Sequence, residues 1–215
     1  MLMLSRIARN AASLLVSDVV NRAATFALYA MVARYLGVFE LGQMALALTL
    51  FYMGQVLAAA GLKTLITREV AKDKARTPAY VINCSLIVLA SSIVSLLLIQ
   101  VFASVMQYST YTTWIVFLLS LALMPFALSA VCEGVFQAHE EMRYIAYATV
   151  PVNAFKVGGV FLLLSAGYAL DRVVILVVMC HVAIMVFEWW LMARRFPLKL
   201  MRIDRDFIRT LIRST

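Results

Sequence analysis

Residues 14–26 read LLVSDVVNRAATF, and the fold turns on what this stretch is. Its leucines, valines, alanines and phenylalanine belong in a membrane span, yet Asp18, Asn21 and Arg22 stand in the middle of it. A secretory signal would have an uninterrupted apolar core followed by a small-residue cleavage site. Here Asp18 and Arg22 break the core, the apolar character runs on to about Ala33, and no cleavage pattern follows. The segment therefore reads as an uncleaved first span, preceded by Arg6 and Arg9.

The rest of the chain supports that reading. Of its 215 residues 64% are hydrophobic and 14% charged, where an ordinary soluble domain is roughly a quarter charged. A helix needs about 20 apolar residues to cross the hydrocarbon core. Six stretches qualify, near 11–33, 41–62, 79–105, 113–136, 144–166 and 172–193. The expected fold is an all-α integral membrane protein, a bundle of six transmembrane helices over residues 1–193. A basic tail or linker follows over 194–215, where Leu200, Phe207, Ile208, Leu211 and Ile212 recur at helical spacing and predict an amphipathic helix.

Connections between the spans alternate between very short and basic. With the N-terminus inside, fifteen lysines and arginines fall on the inner side and only Arg34 and Arg172 on the outer. Positive residues near span ends are retained in the cytoplasm, so both termini are expected there, in a cell (inner or plasma) membrane. The same rule, with contact to anionic membrane lipids, accounts for the net charge of +8 and leaves no argument for nucleic acid. Cys84, Cys132 and Cys180 are scattered in apolar surroundings, and His139 and His181 lack ligand-spaced neighbours, so neither metal nor cofactor is expected. All five read as packing or structural residues.

Charged groups within a span cost several kcal/mol and normally face a bundle interior or a wet cavity. Asp18, Asn21, Arg22, Thr25 and Tyr29 recur at i, i+3, i+4, i+7 and i+11, one polar stripe on an apolar helix. Thr149, Asn153 and Lys156 repeat the pattern in the fifth span. Arg22 and Lys156 are near mid-span, with Asp18 about 6 Å nearer the inner surface. The expected cavity is cationic at its centre and suited to an anion such as a phosphate ester. Its predicted lining is Arg22, Lys156, Asn21, Asn153, Asp18 and Thr25. The alternative is an Asp18–Arg22 pair that only packs helices, which leaves Lys156 without a partner. Pro125 and Pro151 mark candidate kinks in the fourth and fifth spans.

Three segments carry a family resemblance. VARYLGVFELGQMALALTL, from Val32, resembles the first outer turn of the polysaccharide transporter family, the O-antigen flippases of the multidrug/oligosaccharidyl-lipid/polysaccharide exporter superfamily. Gly37 there is expected to end the first helix in a left-handed conformation, and Gly42 to let the second start close by. GLKTLITREVAKDKA, from Gly61, is similar to the loop between the second and third spans, with a basic helix bearing Arg68 and Glu69. EGVFQAHEEMRYIAYATVPVN, from Glu133, is similar to the turn between the fourth and fifth. Val38 departs from the proline that often follows the glycine.

The resemblance implies a flippase, a transporter and no enzyme, that moves polyprenyl-diphosphate-linked oligosaccharide from the cytoplasmic to the outer leaflet for surface polysaccharide biosynthesis. Arg22 and Lys156 would meet the diphosphate, Asn21 and Asn153 would bond sugar hydroxyls or phosphate, and Asp18 would orient Arg22. Family members have two lobes, so this chain is expected to supply one, with a second lobe or second copy and other glycan-assembly proteins as partners. The rival readings are a membrane polymerase or glycosyltransferase, a drug exporter, or a scaffold subunit of the same pathway.

Overall fold

The computed structural model describes residues 2–59 and 61–196. The described residues form helices α1 (Leu2–Tyr35), α2 (Val38–Ala59), α3 (Leu62–Lys72), α4 (Thr77–Val105), α5 (Thr110–Ser120), α6 (Leu123–Ala138), α7 (Arg143–Ser165) and α8 (Leu170–Arg195), with a single 3-10 turn at Lys74–Arg76. Six stretches among them are long and apolar enough to cross a membrane, and the chain is an all-α membrane bundle. The amphipathic helix expected in the tail lies outside the described residues.

Helix termini follow local chemistry. Gly37 has φ 104° and its N–H reaches back to Val32 O at 3.3 Å, so the first helix ends as its glycine predicts. Gly42 differs from expectation: it is exposed on α2, and a Cβ there would meet nothing within 4 Å. Gly61, at φ 70°, supplies the left-handed residue that starts α3. The fourth span is broken into α5 and α6 at Leu121–Ala122. Pro125 causes this, since it has no N–H for Leu121 O and its ring crowds that carbonyl. Pro151 lies within an unbroken α7.

Lipid offers helices no hydrophobic reason to associate, so close approach at small residues holds the bundle. Ser95 Oγ donates to Gly54 O at 3.0 Å and Ser91 Oγ to Ala58 O at 2.7 Å, fastening α4 to α2. A Cβ on Gly134 would lie 3.1 Å from Lys63 O, which is how closely α3 rests on α6. Large apolar side chains such as Val56, Phe155 and Leu162 point outward, as lipid requires.

The core has two apolar layers. One, around Val32, Met44, Phe51, Ile115, Leu119 and Val173, fills the end with the Gly37 turn. The other, around Ile66, Val70, Val81, Val131, Phe136 and Met192, fills the end with α3. Cys84, Cys132 and Cys180 are buried free thiols. His139 lies at that second end beyond α6, its ring 4.3 Å from the ring of Phe196. Thr77 donates its hydroxyl hydrogen to Lys74 O at 2.6 Å, so His139 Nε2–H donates to Thr77 Oγ1 at 3.1 Å. Burial, and next Lys74, hold the His139 pKa below the usual histidine value.

Candidate functional site

Between the two layers lies a cavity of about 400 Å³. α1 contributes Ser17, Asp18, Asn21 and Thr25, and α7 contributes Thr149, Asn153 and Lys156. α1 packs along α7, so the two polar stripes read from the sequence meet. Lys63 of α3, Ser129 and Glu133 of α6, and His181 of α8 complete the polar lining, with Tyr52 and Gln55 from α2.

Lys156 is 7% exposed and, among the described residues, forms no ion pair. Its electrostatic neighbours are Cys180 and His181 on α8. A carbonyl only accepts, so His181 donates from Nδ1 to Val177 O at 2.9 Å, which leaves Nε2 without that proton in the neutral ring. A cation withdrawn from water with no anion beside it is costly. The local demand at Lys156 is for a negative charge.

The hydroxyls around it are already committed. Thr25 Oγ1 donates to Asn21 O at 2.9 Å, Thr149 Oγ1 to Ile145 O at 2.8 Å and Ser17 Oγ to Ser13 O at 2.9 Å. With their hydrogens spent on their own helices, these oxygens offer lone pairs, which suit hydroxyl donors rather than phosphate oxygens. Asn153 donates one Nδ2 hydrogen to Thr149 O at 2.9 Å and keeps its second.

Five of the six residues expected from the sequence line this cavity: Asp18, Asn21, Thr25, Asn153 and Lys156. Arg22 does not. It borders a more open depression of about 430 Å³ with Asp18, Asn21, Thr25, Phe26, Tyr29 and Tyr52. Its side chain is 83% exposed and its nearest approach to Asp18 is 4.0 Å. Helical geometry is the reason: one residue past Asn21 is a turn of about 100°, which swings Arg22 out of the cavity and into the adjoining depression, where Asp18, Asn21 and Thr25 line both openings. The two openings adjoin along Asp18, Asn21, Thr25 and Tyr52, with Lys156 lining one and Arg22 the other. The expectation that both cations share one chamber fails on this geometry.

The sequence reading also missed Lys63, Ser129, Glu133 and His181. Lys63 and Glu133 form an ion pair at the α3 end of the cavity. The cavity's formal charges, Lys63 and Lys156 against Asp18 and Glu133, therefore balance overall, and the cationic character is confined to the surroundings of Lys156. Gly134, beside Glu133, was the legible signal, because glycine in a helix interior marks a close approach that here brings Lys63 to its partner.

The sequence profile of a family described as polysaccharide biosynthesis protein matches residues 7–215. The chain belongs to that family. No curated protein and no solved structure matches it. As a member of the polysaccharide biosynthesis proteins built from membrane-spanning helices, the chain is a multi-pass membrane protein whose polar cavity lies within the bundle.

Proposed function

We propose that this protein is a flippase for surface polysaccharide assembly, carrying a polyprenyl-diphosphate-linked oligosaccharide from the cytoplasmic to the outer leaflet of the cell membrane. The observation that carries the reading is Lys156, a buried cation that among the described residues has no ion-pair partner, in a polar cavity between helices. A diphosphate supplies the missing charge, and the acceptor oxygens of Thr25 and Thr149 match sugar hydroxyls. Asn21 and Asn153 add amide groups for either, while Arg22 meets anionic headgroups at the outer depression and Asp18 borders both openings. A volume of about 400 Å³ is at the lower end of small-molecule sites, roughly 300–1,000 Å³. It therefore takes the headgroup, and the lipid tail and remaining sugars extend outside.

In this reading the α3 end faces the cytoplasm, by the bias of positive residues, and no covalent step occurs. The hydroxyls of Ser17, Thr25 and Thr149 donate to their own helices and not to a base, which supports transport over transfer chemistry. A second lobe or second copy facing α1 completes the pathway. The test is Lys156→Met in the whole chain, expressed in cells that depend on it. Loss of lipid-linked sugar at the outer surface, with normal protein levels and rescue by Lys156→Arg, is the expected result; undiminished delivery refutes the headgroup role.

A further inference from the structure

Glu188 on α8 is 0% exposed, and neither of its carboxylate oxygens has a hydrogen-bond partner. Ser129 on α6, 5% exposed and lining the cavity, is close enough for its hydroxyl to act on that carboxylate, and among the described residues the hydroxyl makes no other hydrogen bond. Two unsatisfied buried groups side by side at a cavity wall need an explanation.

Their surroundings supply it by charge count. α8 packs against α5, α6 and α7. From α6, Glu188 faces Glu133 and Cys132; Lys63 of α3 is close enough to act on it. From α7, Lys156 faces Cys180 and His181, about two helical turns earlier on α8. α5 brings no Asp, Glu, Lys, Arg or His. Lys63 pairs with Glu133, so two carboxylates share one ammonium and one negative charge is left over. Removed from water, with one neighbouring hydroxyl and a shared ammonium to stabilise it, that charge is costly. One further positive charge closes the balance. Among the described residues no group of three or more His, Cys, Asp or Glu side chains is placed to hold a metal ion, so a proton is the charge assigned here.

We propose that Glu188, Glu133 and Ser129 form a proton site at the α3 end of the cavity, with Lys63 shared between the two carboxylates. The proton arrives from cavity water past Ser129, adds to a carboxylate oxygen of Glu188 and returns to water by the same route, with no other bond made or broken. This site goes beyond the transport reading, because it requires no cargo.

Infrared absorption of the whole chain in lipid nanodiscs, recorded across pH, tests it. The wild type shows the carbonyl band of a buried protonated carboxyl near neutral pH, and that band fades as pH rises. It disappears in Glu188→Gln, and also in Glu133→Gln, where Lys63 alone balances the remaining carboxylate. In Lys63→Met it persists to a pH higher by about one unit or more. Sodium chloride added at constant pH leaves it unchanged. Absence of the band from folded wild type at every pH, its survival in both glutamine variants, or its bleaching by sodium each overturns the proposal. If Glu188→Gln does not fold, the wild-type and Glu133→Gln spectra decide.

Discussion

Replacing Lys156 by methionine separates a residue kept for binding from one kept for packing, because the two roles move stability and affinity in opposite directions. Lys156 is 7% exposed and, among the described residues, has no ion-pair partner. Methionine keeps the length of the stem and removes a buried charge that nothing compensates, so the empty protein gains about 1 kcal/mol or more. At roughly 2–4 °C per kcal/mol for a chain of this size, the unfolding midpoint in nanodiscs rises by a few degrees. Binding changes the other way. A charge-assisted hydrogen bond from an ammonium to a phosphate oxygen is worth roughly 1.5–3 kcal/mol net. At 1.4 kcal/mol per decade, affinity falls about 10- to 150-fold. Calorimetric titration with a short-chain prenyl-diphosphate sugar measures this, and scanning fluorimetry reads the midpoint of the same sample. A variant that binds the probe as tightly as wild type and melts at a lower temperature refutes the argument.

Other outcomes follow from the same geometry. Arg22→Met should weaken binding of that probe by no more than about threefold, and less at high salt, because the side chain is 83% exposed in the outer depression. Gly54→Val should cost about 1–3 kcal/mol of stability in thermal unfolding, since even a Cβ there would stand 2.8 Å from Ile99 Cδ1 and 3.0 Å from the Ser95 hydroxyl that bonds Gly54 O. His139 carries its own pH dependence. Its pKa is depressed in the folded chain by burial and by Lys74, so both states are neutral above the unfolded value of about 6.5. Below that pH the unfolded chain takes up the proton first, and stability falls with pH; His139→Gln should flatten the midpoint of unfolding between pH 7 and pH 5.

The spans were legible because lipid imposes one requirement on every segment, an apolar length, and that requirement is local in sequence. Gly37 was legible for a similar reason, since a left-handed residue announces itself wherever it stands. The two polar stripes were readable as stripes, from helical spacing alone. What spacing does not supply is the angle at which each helix meets the others. Asn21 and Arg22 are adjacent in sequence and were assigned together, yet Asn21 reaches the cavity that holds Lys156 and Arg22 lines only the depression beside it. Lys63 read as part of a basic connection, and only the contact of α3 with Gly134 carries it to Glu133. His181 read as structural, because its place on the cavity wall depends on how α8 lies against α7.

The arrangement of charge along the cavity bears on how a bundle could respond to what it binds. Lys156 and Glu188 are buried ionisable groups of opposite type, about two turns apart in depth; among the described residues Lys156 forms no ion pair, and Glu188 shares Lys63 with Glu133. They cannot settle each other, because Lys156 faces Cys180 and His181 while Glu188 is reached through Ser129 and the Lys63–Glu133 pair. On the readings proposed above, Lys156 takes an anion from outside the protein and Glu188 a proton. Lys63, Glu133 and Ser129 belong to both the cavity and the acidic site; of these Lys63 is carried on α3, a helix of 11 residues fastened to α6 where Gly134 allows it. When Glu188 holds a proton, Lys63 is held by Glu133 alone; when the proton leaves, two carboxylates compete for one ammonium. In the proposed site a change of protonation therefore alters the charge that holds Lys63 of α3 against α6, and it leaves Lys156, about two turns away, chemically unchanged.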